Sequence, residues 1–113
     1  MNKILFLIFT VLTGCSSVPK MHYSKSSEKV FSPKVPTCDF FVRTTAPKEA
    51  FEEIGVINLS PAYYSNGIPV LPNNSDELKI HIREQVCKTG GDAVVGDVNG
   101  VGQYVRVTIL KIN

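Results

Sequence analysis

The stretch from Asn74 to Gly91 is the strongest structural signal in this 113-residue chain. At about 100° per residue, four of its side chains fall within an arc of about 80° and form the apolar stripe of an amphipathic helix. Asn74 precedes Glu77 by three residues, which is close to a capping-box arrangement, and the glycines at 90 and 91 can end the helix. The stripe consists of Leu78, Ile82, Val86 and Thr89. A helix of this kind needs a second layer to cover its stripe.

Segments rich in β-branched and aromatic residues surround this helix and supply that layer. The predicted strands are Asp39–Thr44, Phe51–Leu59, Asp92–Val98 and Tyr104–Ile112. For the second of them, two turns of helix between Pro47 and Gly55 are the alternative, but we prefer a strand with a bulge at Gly55. Asn99-Gly100 predicts a hairpin between the last two strands. The expected fold is α+β, a small antiparallel sheet of about four strands with one helix on one face, in the order ββαββ.

The beginning of the chain has the layout of a secretory leader. Ile4 to Leu12 is apolar but for one Thr, and its nine residues are fewer than half of the about 20 that cross a bilayer. Lys3 precedes this run and small residues follow it, as in a signal peptide. The stretch Leu12-Thr13-Gly14-Cys15 resembles the bacterial lipobox, and this resemblance implies cleavage before Cys15 and lipidation of its thiol. The alternative is an ordinary secretory leader with a chance cysteine.

These segments divide the chain into a leader (1–14), a lipidated Cys15 with a tether (15–37) and one small domain (38–113). Ser16 to Pro36 holds six Ser, four Lys and three Pro without apolar periodicity, so we expect a flexible tether. Its net charge is positive, whereas residues 38–113 carry seven Lys or Arg and nine Asp or Glu. This slightly acidic domain argues against a nucleic-acid partner.

The segment Ser60–Ser75 contains three Pro, three Asn and a Gly, which predicts a long loop. Loops of this length are often functional. Tyr63, Tyr64 and Asn66 are the candidate binding residues, because loop aromatics offer a large contact area at little entropic cost. The alternative is that one Tyr packs on the core and the other is merely exposed.

Two cysteines remain once Cys15 is assigned to lipid. Cys38 and Cys87 are an even number in an oxidising compartment, so we predict that they form a disulfide. Two buried free thiols, or a metal site that includes His81, are the alternatives. Metal is disfavoured because these residues have no paired ligand spacing.

The sequence contains no G-x-S-x-G, G-x-G-x-x-G or H-E-x-x-H motif. Glu52 and Glu53 are adjacent, so on a strand they face opposite ways and do not form a general acid/base pair. Asp92 follows two glycines and is expected to hydrogen-bond local backbone groups. We therefore predict neither an enzyme nor a bound cofactor or metal.

The segments CDFFV, AFEEIGVI and KTGGDAVVGDV resemble the small α+β domain of the Rcs stress-sensor lipoproteins of bacterial outer membranes. They also resemble related cytoplasmic domains that carry a G-A-D/N-A-V-V motif after their helix. The resemblance covers about residues 38–113. The matching residues are Phe51, Ile54, Gly55, Gly90, Asp92, Ala93, Val94 and Val95. It implies a ββαββ fold and a location in the cell envelope.

The function expected from the sequence is a cell-envelope lipoprotein that acts as a protein-interaction module in envelope sensing or assembly. Its expected partners are the membrane, through the lipid at Cys15, and an envelope protein. The alternative is a structural lipoprotein that binds a ligand or the cell wall through residues 60–75. The residue after Cys15 is Ser16 and not the Asp that resembles an inner-membrane retention signal, so we expect the outer membrane, facing the periplasm.

Overall fold

The computed structural model describes residues 18–113. These residues contain one α-helix, α1, which spans Ser75–Thr89, and seven strands. The strands are β1 (Lys20–Lys25), β2 (Phe41–Arg43), β3 (Phe51–Ser60), β4 (Tyr64–Ser65), β5 (Ile68–Pro69), β6 (Ala93–Val98) and β7 (Tyr104–Ile112). The α+β class is as predicted, but the sheet is larger than predicted and is mixed.

Five strands form the main sheet, in the order β1-β3-β7-β6-β2. β1, β3, β7 and β6 pair antiparallel with their neighbours, whereas β2 pairs parallel with β6. The prediction of a purely antiparallel sheet of about four strands is therefore wrong in strand number and in one pairing. β4 and β5 form a separate two-stranded sheet.

The extra strand β1 lies in the segment that was predicted to be a flexible tether. It pairs with β3 from Lys20 opposite Ser60 to Lys25 opposite Gly55. Most of its side chains are exposed because β1 is an edge strand, and only Tyr23 packs against the core. Polar and charged residues are typical of protein sheet edges, which they protect from further pairing. The polar composition of this segment therefore did not indicate that it contains a strand.

β2 is shorter than the predicted strand, and β3, its successor in the chain, lies three places away across the sheet. Residues 44–50, which we call the crossover, carry the chain past β6 and β7 to reach β3. Glu49 lines a crevice with Phe41 and Ala93, whose side chains share the face opposite α1. The crossover therefore lies on that face, where Pro47 is buried.

The helix packs on the other face of the sheet and ends where the sequence predicts. Asn74 is the N-cap, and its side chain accepts a hydrogen bond from the backbone N–H of Glu77. Gly90 closes the helix in the left-handed conformation with φ 86°. The fully buried residues of the core include Leu78, Ile82 and Val86 of α1 and Ile57, Val107 and Ile109 of the sheet. Three of the four predicted stripe residues are thus in the core, whereas Thr89 is half-buried.

β3 confirms the strand interpretation and the bulge. Its pairing with β7 changes register between Glu53 and Gly55. A Cβ on Gly55 would lie 2.5 Å from Cε1 of Tyr23 and 2.7 Å from the carbonyl oxygen of Ser24. The sequence therefore has a glycine where β1 and its tyrosine ring approach the bulge most closely.

The Ser60–Ser75 segment contains a small hairpin instead of the predicted unstructured loop. Asn66 and Gly67 join β4 to β5 with φ values of 52° and 78°, and positive φ at both central residues is what a type I′ turn requires. The second Asn-Gly pair behaves differently, although the hairpin predicted there does form. Asn99 begins a wider turn, in which its side-chain oxygen accepts hydrogen bonds from the backbone N–H groups of Val101 and Gln103.

Candidate functional surfaces

A crevice of about 530 Å³ lies beneath the crossover, on the side of the sheet where β2 forms the edge. We call it the crossover crevice. It is lined by Lys34, Asp39, Phe41, Arg43, Glu49, Asp92, Ala93 and Ile112. Its walls combine an aromatic ring and aliphatic groups with charges of both signs, a composition that suits a mixed polar and apolar ligand or peptide.

Asp92 organises the charges at one side of this crevice. One carboxylate oxygen pairs with Lys34, and the other lies 3.3 Å from the Lys111 ammonium and accepts a bond from the Ile112 N–H at 2.9 Å. Burial raises the pKa of Asp92, but the hydrogen bonds from Lys34, Ile112 and Lys111 outweigh burial and hold that pKa below its usual range. Asp92 therefore accepts a backbone hydrogen bond, but the prediction of a local partner is wrong, because Ile112 lies 20 residues away in the sequence.

Phe41 and Arg43 present the open side of the crevice. Phe41 is 75% exposed, although it belongs to a strand of the main sheet. The guanidinium of Arg43 forms no hydrogen bond or ion pair with any other residue between 18 and 113. An exposed aromatic ring beside a cation without a partner in this part of the chain is typical of binding surfaces, where Phe and Arg are enriched.

The neighbouring ion pair of Asp39 and Lys79 links the start of this region to the helix. Lys79 donates to Asp39 at 2.7 Å and lies 5.3 Å from the ring centroid of Phe40. This hydrogen bond from Lys79, a backbone bond and the positive charge lower the pKa of Asp39. Asp39 is well exposed, so this ion pair orients the crevice wall and contributes little to stability.

The predicted binding residues Tyr63, Tyr64 and Asn66 come together on the hairpin of β4 and β5. Tyr63 is 49% and Tyr64 is 65% exposed, so neither ring is a core residue. Asn66 occupies the turn at the tip. All three are exposed and lie on or directly beside one hairpin, and their recognition role stays a prediction.

Cys38 and Cys87 form a disulfide, as predicted, with their Cα atoms 5.8 Å apart. The last fully buried side chain of α1 is Cys87, whereas the sequence predicted that Thr89 ends the apolar stripe. The bridge ties the chain just before β2 to the end of α1, close to the crossover crevice. Within residues 18–113, no group of three or more His, Cys, Asp or Glu side chains is arranged to hold a metal ion.

The remaining predictions concern the Glu52–Glu53 pair and the segment around Cys15. Glu52 accepts bonds from the Lys29 ammonium at 2.7 and 2.9 Å and does not pair with Glu53, which faces Leu110 across the sheet. Cys15 and the leader lie outside the described residues. Within the described part of the chain, no helix has the length and apolar character needed to cross a membrane.

A second cavity, of about 300 Å³, was not predicted because it is built from the supposed tether. Tyr23, Val30 and Phe31 form its apolar lining, beside Ile54 of β3 and the end of α1. Burial raises the pKa of Tyr23. Tyr23 and Phe31 are isolated aromatic residues in an otherwise polar segment, and both pack on the core. Their presence was the one sequence feature that could have indicated this cavity.

The chain was compared with protein-family models, with curated proteins and with solved structures, and none of them matches it.

Proposed function

We propose that this protein is an envelope lipoprotein whose domain binds a partner protein at the crossover crevice. In this proposal a lipid on Cys15 holds the chain at the outer membrane, facing the periplasm. The support for export and anchoring is the lipobox-like stretch at residues 12–15, together with the disulfide, which suits an oxidising compartment. The resemblance of residues 38–113 to the Rcs sensor domain also favours the envelope.

The observation that carries the interaction role is the exposure of Phe41 on an edge strand. A strand at a sheet edge keeps backbone groups available for an incoming extended segment, and β2 is such an edge. Phe41 supplies apolar area there, and Arg43 supplies a cation for an acidic group of the partner. Buried aromatic and arginine side chains are the residues that most often dominate binding energy at protein interfaces.

Site-specific crosslinking in cells tests this proposal directly. A photo-crosslinking phenylalanine analogue replaces Phe41 in the full chain, and the same analogue replaces Ile80 in a control chain. Ile80 is a matched control because it is also 75% exposed but lies on α1, on the other layer of the fold. We expect a defined protein adduct from position 41 and none from position 80. Identical adduct patterns, or no adduct at either position, would refute a partner at the crevice.

The variants Phe41→Asp and Arg43→Glu provide a second test of partner binding at the crossover crevice. If the crevice binds the partner, Phe41→Asp should remove the adduct formed by an analogue placed at Glu49, which also lines the crevice. Arg43→Glu should weaken the same adduct by reversing the charge. Unchanged melting temperatures in both variants would show that the loss comes from binding and not from unfolding.

A further inference from the structure

The structure assigns a second contact with the membrane to one end of the domain, in addition to the proposed lipid: the hairpin of β4 and β5 and the β6–β7 turn insert into the bilayer interface. This inference rests on the proposed lipidation of Cys15 for its geometry. We call this surface, made of residues 18–20, 61–70 and 98–103, the hairpin end. Its occupant is the lipid surface itself.

The sheet topology brings these three segments together. Lys20, the first residue of β1, pairs with Ser60, the last residue of β3, and the hairpin follows directly. Because β7 runs antiparallel to β3, the first residue of β7, Tyr104, lies at the same end of the sheet as Ser60. The β6–β7 turn directly precedes Tyr104 and therefore lies at this end too. The hairpin and the turn are also bonded, since the Gln103 amide donates to the carbonyl oxygen of Pro69 at 2.7 Å.

The hairpin end concentrates exposed apolar side chains. Twelve large hydrophobic residues of the described chain are exposed, and half of them lie here. They are Val18, Tyr63, Tyr64, Ile68, Val98 and Val101, each between 49% and 65% exposed. Residues 61–75 and 98–105 contain no charged side chain at all. Lys20 is the one charged residue among residues 18–20, 61–70 and 98–103. An end of the domain with this many exposed apolar side chains and a single charge marks a contact surface, and Tyr is enriched where proteins meet the membrane interface.

The length of the chain before β1 identifies the bilayer as the occupant. Cys15 precedes Lys20 by five residues, which span at most about 17 Å when fully extended. A lipid on Cys15 therefore keeps the start of β1, and with it the hairpin end, near the bilayer surface. A lipobox cysteine carries several acyl chains, which hold the chain at the bilayer, and a second membrane contact fixes how the domain is oriented there. The apolar tip supplies that contact.

This orientation separates the two proposed surfaces. Phe41 pairs with Ala93, the first residue of β6, whereas the hairpin end adjoins Val98, the last residue of that strand. The crossover crevice consequently points away from the bilayer and stays accessible. Asp76 and Glu77, in the first turn of α1, follow the hairpin by only a few residues in the sequence. Insertion must then come from apolar area and not from attraction to anionic lipids, so it should depend little on ionic strength.

Tryptophan fluorescence provides the test because the natural chain has no tryptophan. Tyr64→Trp places one reporter at the hairpin end, and Val30→Trp places another in a control chain. Val30 is 85% exposed and lies beyond the opposite end of β1, beside the end of α1. Each full-length lipidated protein is reconstituted in phosphatidylcholine vesicles that contain brominated lipid. We expect a blue-shifted, strongly quenched signal from Tyr64→Trp at both low and high salt, and an unshifted, weakly quenched signal from Val30→Trp.

Equal quenching of both reporters, or quenching of neither while the protein floats with the vesicles, would overturn the inference and leave the lipid anchor intact. Failure of wild type to float would instead refute the anchoring on which the proposed function depends, and this inference with it. In the lipidated Tyr64→Trp chain, Ile68→Ser together with Val101→Ser should weaken the quenching of the reporter by brominated lipid, because two apolar contacts with the bilayer are removed. Retention by isolated cell wall that the same two substitutions abolish would assign the hairpin end to the cell wall and overturn the membrane contact.

Discussion

Cys38 and Cys87, which are 49 positions apart in the sequence, are joined by a disulfide that fastens the edge of the sheet to the end of its helix. The backbone N–H of Lys34 donates to the carbonyl of Cys87 at 2.8 Å, and Lys34 itself pairs with Asp92. The bridge therefore stabilises more than one strand. It fixes the segment that precedes β2, the end of α1 and one wall of the crossover crevice relative to each other.

Loss of this disulfide should be costly for so small a domain. Closing a loop of 49 residues is worth about 4 kcal/mol in the chain-entropy model. Cys38→Ser and Cys87→Ser should each lower the free energy of unfolding by a similar amount, measured by denaturant titration. The double variant should lose no more than either single variant. Two titratable thiols per chain in unfolded, non-reduced Cys15→Ala protein would contradict the bridge.

We expect low pH to lower the free energy of unfolding of the domain, because the Asp92 carboxylate becomes protonated. Its folded-state pKa is lowered, so its stabilising contribution is fully present above the unfolded value of about 4 and is lost as pH falls through the folded pKa. Denaturant titrations between pH 7 and pH 2 should show this loss in wild type. Asp92→Asn should flatten the dependence and lower stability at pH 7. Asp39→Asn is the control, since Asp39 also has a lowered pKa but is well exposed, and it should change the profile less.

Gly91 should tolerate no side chain. A Cβ there would lie 2.5 Å from Cγ2 of Ile109 and 2.9 Å from Cγ1 of Val86, both fully buried. Gly91→Ala should therefore destabilise the domain by about 1–3 kcal/mol through overpacking. Gly100→Ala is the control, because nothing lies within 4 Å of that position and its φ is not positive. Equal melting temperatures for the two variants would show that the helix and sheet can move apart at Gly91.

Cys15 should carry the lipid. Wild type should incorporate labelled fatty acid in a bacterial host, and Cys15→Ala should incorporate none and keep its uncleaved leader. Gel mobility and radiolabel measure both effects. Ser16→Asp is a useful companion variant, because it should move the lipidated protein towards the inner membrane if sorting follows the enteric signal. Label uptake by Cys15→Ala equal to that of wild type would refute lipidation at this residue.

The sequence predicted the elements whose signals are local. The apolar stripe, the Asn74 cap and the Gly90 stop placed α1, and alternation of apolar and polar residues placed β7 at the bounds that the structure shows. The hairpin at Asn66-Gly67 was also locally encoded, but the prolines around it favoured an unstructured loop. The crossover crevice had no local signal, since its residues come from five separate stretches of the chain.

By itself, the sequence determined one helix, the bulge at Gly55 and the strands that supply the core, because periodicity and capping act within a few residues. Tertiary structure alone decided that Lys20–Lys25 is a strand and that β2 runs parallel to β6. Strand pairing depends on backbone hydrogen bonds, which every residue but proline can donate and accept, so a polar edge strand leaves little trace in composition. Only the presence of β3 and β6, dozens of residues away, gives those two segments a partner.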